Sequence, residues 1–152
     1  MNLKDLVRQE IEKATLFNPV GMLVISTEDG KYLLLRRGSV GEFKNHWAFV
    51  GGSLEKGEEP EEGTLREVYE EMKFKPNNIK FFGKLFFRNR PIYVYTSKVS
   101  KEFTPKLNYE NSEYKWLTIE EVEKLNKNDL VIPNVLQILK DIENGNRGIR
   151  ES

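Results

Sequence analysis

Gly51-Gly52-Ser53-Leu54-Glu55-Lys56-Gly57-Glu58-Glu59-Pro60-Glu61-Glu62-Gly63-Thr64-Leu65-Arg66-Glu67-Val68-Tyr69-Glu70-Glu71-Met72-Lys73-Phe74 runs from paired glycines through a glutamate-rich loop into a helical pattern. Pro60 opens a helix, because proline is tolerated at the first helical position, where its missing N–H has no intrahelical partner to lose. At about 100° per residue, Leu65, Val68, Tyr69 and Met72 share one face and Glu67, Glu70 and Glu71 roughly the opposite one. One side is expected to pack on a core and the other to present three carboxylates.

Carboxylates at i, i+3 and i+4 repel, and two of them stand near the helix C-terminus, where the macrodipole also disfavours anions. A divalent cation offsets both penalties, and closely placed oxygen ligands suit magnesium, which keeps some waters and reaches substrate phosphates with its remaining positions. The alternative is a solvated acidic face aided by the i,i+4 pairs Glu62–Arg66 and Arg66–Glu70. The Gly- and Glu-rich loop ahead of the helix tips the balance toward a site.

Outward from the helix the chain alternates strand and turn. Val20–Ser26 and Tyr32–Arg37 read as strands around Thr27–Lys31, whose Asp29-Gly30 pair suits a hairpin. A polar loop, Gly38–Asn45, leads to a short strand at His46–Val50. Ile79–Phe87 and Ile92–Val99 read as strands around an Arg88–Pro91 turn, and Tyr114–Leu117 as a last one. Thr118 is placed to cap a helix over Ile119–Leu125, and Pro133 to start another carrying Val135, Leu136, Ile138, Leu139 and Ile142. Leu3, Leu6, Val7, Ile11 and Ala14 suggest an N-terminal helix within residues 1–16, and 145–152 a flexible polar tail. The expectation is a single α/β (α+β) domain with a mixed sheet.

Composition narrows the function. A length of 152 residues fits one core, and 24 acidic against 24 basic side chains leave no basic footprint for gripping a long nucleic acid. The absence of cysteine removes disulfides, thiolate metal sites and a cysteine nucleophile. Neither a signal peptide nor the roughly 20 apolar residues of a membrane helix is found, so a cytoplasmic protein with no membrane partner is the simplest reading.

The segment resembles the Nudix box: a glycine, five residues, Glu, seven residues, Arg-Glu, an aliphatic residue, any residue, Glu-Glu, any residue, glycine and an aliphatic residue. Gly52, Glu58, Arg66, Glu67, Val68, Glu70 and Glu71 fall on it, and Phe74 takes its apolar end. Trp47 before the paired glycines and the Glu113–Trp116 element extend the likeness over Asn18 to Asn144. Two positions depart from the pattern: Lys73 stands where glycine is expected and Val50 where proline is common. Lys73 either accepts a left-handed cap at a cost of roughly 1 kcal/mol, or the helix ends differently.

The resemblance implies an α/β/α sandwich and a magnesium-dependent pyrophosphohydrolase, with manganese as a substitute. It assigns Glu67, Glu70, Glu71, Glu58 and the Gly51 carbonyl to the metal, and gives Arg66 the task of orienting carboxylates. A further Glu before the last strand is expected, with Glu110 preferred over Glu113 as catalytic candidates. Arg36, Arg37, Lys44, Arg88 and Arg90 are candidates for phosphate, and Phe43, Trp47, Tyr93 and Tyr109 for a base, although a core or solvated role is the better bet for each singly. His46, the one histidine, is expected to be structural. The substrate class implied is a nucleoside diphosphate linked to another group, such as ADP-ribose, a nucleotide sugar or a dinucleoside polyphosphate. A MutT-like triphosphate pyrophosphohydrolase and a non-catalytic nucleotide sensor are the alternatives, and a homodimer is left open. The marks of coenzyme A and NADH subfamilies are not evident, and the missing cysteine weakens an isopentenyl diphosphate isomerase reading.

Overall fold

β1 (Val20–Thr27) lies inside the sheet because it is apolar on both sides: Met22 and Val24 enter one core and Leu23 and Ile25 the other. In the computed structural model, which describes residues 2–7, 18–145 and 149–150, β1 pairs in parallel with β6 (Arg90–Val99) from Val20↔Ile92 to Thr27↔Val99. Its other edge is shared. Val20–Leu23 pairs antiparallel with β4 (Val50–Ser53), and Ser26 meets Tyr32 of β2 (Tyr32–Arg37). β2 also pairs with β3 (Trp47–Ala48) and with β7 (Asn111–Leu117), and β5 (Lys80–Phe87) lies antiparallel to β6.

With β8 (Ile149–Arg150) at the far edge, the order is β3-β2-β1-β6-β5-β8, with β4 on β1 and β7 on β2. One face is covered by α1 (Pro60–Met72), whose Val68 and Met72 join Leu23, Ile25, Leu33 and Leu35. The other is covered by α2 (Ile119–Lys127) and α3 (Val135–Glu143), through Val122, Val135, Ile138 and Leu139. This is the expected α/β/α sandwich on a mixed sheet. Each fully buried aliphatic side chain contributes about 1.5–3 kcal/mol, so the two cores fix the sheet that carries the site. α2 starts at Thr118 with a capping box, Glu121 N–H donating to Thr118 Oγ1 and Thr118 N–H to Glu121 Oε1.

Several boundaries differ from the sequence expectation. Gly51-Gly52-Ser53, expected as loop, is strand β4, because the open edge of β1 at Val20–Leu23 supplies it with ladder partners. The β5–β6 turn is only Arg88-Asn89, both left-handed at φ 52° and 64°, and Pro91 sits within β6 opposite Phe86. Asn89 suits the left-handed backbone of so tight a turn, and β6 runs two residues further into it than the sequence expectation. β7 begins at Asn111, three residues before the expected start, placing Glu113 in the sheet. Part of the expected tail is ordered backbone: β8 (Ile149–Arg150) pairs in parallel with Lys84 and Leu85. Of the expected N-terminal helix, residues 3–7 are helical and most of the rest lies outside the described residues. Among the described residues no helix is long and apolar enough to cross a membrane.

Candidate active site

α1 begins with Pro60 in its first turn and Glu61 and Glu62 beside its positive end. Its buried residues are Gly63, Thr64, Val68, Glu71 and Met72, whereas Tyr69 is 43% exposed and Leu65 half-buried. The inward arc is therefore rotated from the expected one, since α1 packs against both β1 and β4 and centres its contact between Thr64 and Val68. The three carboxylates are consequently not equivalent. Glu71 is 4% exposed, Glu67 keeps 13% of its side chain exposed and Glu70 keeps 50%.

Glu71 is anchored on both oxygens. Asn111 Nδ2 donates to Oε1 at 2.7 Å and the Gly51 N–H to Oε2 at 3.3 Å. Burial pushes the Glu71 carboxyl well above the usual range, Glu110 reinforces the shift, and the Asn111 bond opposes it. Burial also raises Glu67, to about 7; the Arg66 charge opposes that shift, and Glu70 and Glu110 add to it. Two glycines make the arrangement possible. Gly51 has φ 155°, and a Cβ there would strike the Gly21 carbonyl; a Cβ on Gly52 would strike the Glu67 carboxylate, within 2.6 Å of its Cδ.

Arg66 gathers the outer carboxylates. Its Nε and Nη2 grip Glu58 in a fork at 2.8 and 3.1 Å, Nη1 donates to Glu67 and Glu70 at 3.1 Å, and Nη2 reaches the Ser53 carbonyl at 3.2 Å. Arg66 holds the Glu58 carboxyl below its ordinary range, and the Glu55 N–H, 2.8 Å from Glu58 Oε1, adds to this. Both Glu58 oxygens accept from protein donors, so Glu58 anchors Arg66 beside the other carboxylates.

The structure separates the two loop glutamates. Glu110 lies just before β7 and acts electrostatically on both Glu67 and Glu71. Glu113 is inside β7 opposite Arg36, with which it forms an ion pair at 3.3 Å. Arg36 also meets the Asn45 carbonyl, and Arg37 is half-buried at the end of β2. Arg88 pairs with Glu42 and lies over Phe87 and Phe43, while Arg90 donates to the Asn18 carbonyl and Ser53 Oγ. Trp47 is a core residue with Lys115 over its ring. His46 Nδ1 donates to the Lys44 carbonyl at 2.8 Å, a structural bond.

At the helix end Lys73 does take the left-handed conformation, φ 53° and ψ 35°, with its N–H on the Tyr69 carbonyl at 2.9 Å. The cap normally made by glycine is thus kept by a lysine. Sequence reasoning missed Asn108 and Asn111. Asn108 Nδ2 donates to the Glu70 carbonyl at 3.1 Å and its N–H to the Glu71 carbonyl at 3.1 Å, so the loop before β7 closes the end of α1. Asparagine in a polar loop carries no periodic signal, and only the meeting of distant segments reveals it.

A NUDIX domain family model matches residues 16–137. The chain belongs to the Nudix family. An 8-oxo-dGTP diphosphatase of Escherichia coli (strain K12) is 34% identical over 62 residues, 41% of this chain and 48% of that protein. An RNA pyrophosphohydrolase of Aeromonas hydrophila subsp. hydrophila is 35% identical over 63 residues, 41% of this chain and 34% of that protein. The matches thus span about half or less of these curated relatives. The NUDIX domain of Shewanella oneidensis NrtR, solved as a complex with ADP ribose, superposes with a TM-score of 0.69 at 19% identity, covering 95% of this chain and 99% of that one. At that identity the likeness is one of fold.

The donors are chemically suited to a hard divalent cation: all are oxygens, and Glu67 and Glu71, both withdrawn from solvent, repel each other and Glu110. Among the described residues no three acidic, His or Cys side chains form a ready-made cage. Magnesium does not require one, since it is commonly held by one or two carboxylates with water and substrate phosphate completing its shell.

Proposed function

We propose that this Nudix protein hydrolyses a diphosphate linkage in a nucleotide derivative, and that it does so at the Glu67–Glu71–Glu110 cluster with a divalent cation as cofactor. The observation that carries the reading is the desolvation of two carboxylates beside a third, an arrangement that costs stability unless it serves chemistry. Magnesium, or manganese in its place, would supply positive charge against the diphosphate and make water a stronger acid. Glu67, Glu70, Glu71 and the Gly51 carbonyl would hold it.

The remaining steps belong to the chain's own residues. Glu71, anchored by Asn111 and Gly51, offers a carboxylate whose direction is set before substrate arrives. Arg66, pinned by Glu58 and the Ser53 carbonyl, restrains Glu67 and Glu70 from swinging into solvent. Glu110 accepts the proton of the attacking water, and Glu113, tied to Arg36 in β7, does not.

For the substrate, a nucleoside diphosphate linked to another moiety is the first reading. The second, a nucleoside triphosphate or a 5′-triphosphate end, is favoured by the two curated relatives, which are named for 8-oxo-dGTP and RNA. The test is a screen of ADP-ribose, nucleotide sugars, dinucleoside polyphosphates, 8-oxo-dGTP and capped or triphosphorylated RNA with magnesium, read by product mass. Two phosphate-bearing products from one of the linked compounds support the first reading, and pyrophosphate release from a triphosphate the second. Binding of ADP-ribose without cleavage of any compound would point to a nucleotide sensor and overturn the hydrolase reading.

A further inference from the structure

The segment ahead of β7 touches the end of α1 through one side chain that uses both its donor and its acceptor. Asn108 Nδ2 donates to the Glu70 carbonyl at 3.1 Å, and Asn108 Oδ1 accepts the Glu110 N–H at 2.9 Å. One amide group therefore bridges the last turn of the helix and the backbone of Glu110. On its far side Glu110 is held again, its carbonyl accepting the Gly38 N–H at 3.0 Å. The main chain of the segment is docked independently of that amide, by Lys106 N–H on the Met72 carbonyl at 3.2 Å and Asn108 N–H on the Glu71 carbonyl at 3.1 Å.

We infer that Asn108 is a positioning residue for Glu110: its side-chain amide fixes the Glu110 backbone relative to the helix that carries Glu67 and Glu71. The physical reason is the span involved. Glu110 lies about 40 residues from the helix in sequence, yet its carboxylate must stay close enough to Glu67 and Glu71 to interact with both. Main-chain bonds at Lys106 and Asn108 dock the loop on α1 as far as Asn108, two residues short of Glu110. The Asn108 amide closes a short ring from the Glu70 carbonyl to the Glu110 N–H and so carries the anchorage on the helix two residues further, onto Glu110 itself. An aspartate could still accept from Glu110 but could not donate to the helix carbonyl, so asparagine is the side chain of this length that satisfies both. Pre-organisation matters because a misplacement of about 1 Å costs on the order of 100-fold in rate.

This inference rests on Glu110 being the proton acceptor. The experiment is a double-mutant cycle of Asn108→Ala and Glu110→Gln in the full chain with magnesium, with kcat and KM measured on the nucleotide that the wild type cleaves fastest in the screen above, and with thermal melts of each variant. Asn108→Ala is expected to lower kcat by roughly tenfold or more with KM within about twofold, consistent with a group that acts on the chemical step. In the Glu110→Gln background it should change kcat by less than twofold, because there is no longer a carboxylate to misplace. Asn108→Asp should behave as Asn108→Ala does, and it stands in for that variant if the alanine protein fails to fold. Equal loss of kcat from Asn108→Ala in both backgrounds, with Glu110→Gln itself slow, would overturn the inference while leaving Glu110 in its role. Near-normal turnover by Glu110→Gln would overturn both the role and the inference.

Discussion

Glu67→Gln should make the metal-free protein less sensitive to pH. Burial raises the Glu67 carboxyl from 4.5 to about 7, and the side chain is only 13% exposed, so solvent screening takes little from the effect. At about 1.4 kcal/mol per pH unit that displacement corresponds to about 3 kcal/mol. Between pH 4.5 and about 7 the folded protein binds more protons at this site than the unfolded chain does. Stability conferred at low pH is therefore lost as pH rises through that window and is fully gone above it. Gln keeps an oxygen for Arg66 Nη1, which stands 3.1 Å from Oε1, and carries no charge to bury. The assay is urea unfolding in excess chelator at intervals from pH 5 to 8, with m checked for constancy. Glu71 is raised mainly by burial and partly by the Glu67 charge, so the difference between wild type and variant reads Glu67 together with its coupling to Glu71. Because the range starts above 4.5, the wild type should lose about 2.5 kcal/mol more than the variant across it. Parallel pH dependences would refute the claim that Glu67 is a desolvated carboxylate.

Lys73→Gly should relieve about 1 kcal/mol of left-handed strain and return about 0.5 kcal/mol by removing the ammonium that lies 4.9 Å over Tyr69. Lys73→Ala keeps the strain and loses the contact, so in thermal melts the order should be Gly, wild type, Ala; a glycine variant less stable than the alanine one would mean the cap carries no strain. Val68→Ala, fully buried on the inner face of α1, should cost about 2 kcal/mol and leave the rate per folded molecule nearly unchanged. Glu70→Gln, half exposed, should do the reverse, with turnover falling by orders of magnitude at unchanged melting temperature. Chelation should abolish hydrolysis and magnesium restore it, and full activity in excess chelator would remove the cation from the proposal.

The Nudix box was legible in the sequence because its information is local. Spacing alone places Arg66, Glu67, Glu70 and Glu71 on consecutive turns of one helix, and Pro60 marks where that helix starts. Strands β1 and β2 were legible too, since residues buried on both faces leave a continuous apolar run. Sequence periodicity does not say which arc of a helix turns inward, because that depends on what the helix packs against. Contact with β1 and β4 together put Glu71 inside and left Tyr69 outside. The same holds for Glu110 against Glu113: they are three residues apart and chemically identical, and only the register of β7 on β2 sends one to Arg36 and leaves the other beside the helix. The Asn111 bond to Glu71 joins residues 40 apart in the chain. Hydrogen bonds of that span have no period to read, so the tertiary structure alone decided how the box carboxylates are held.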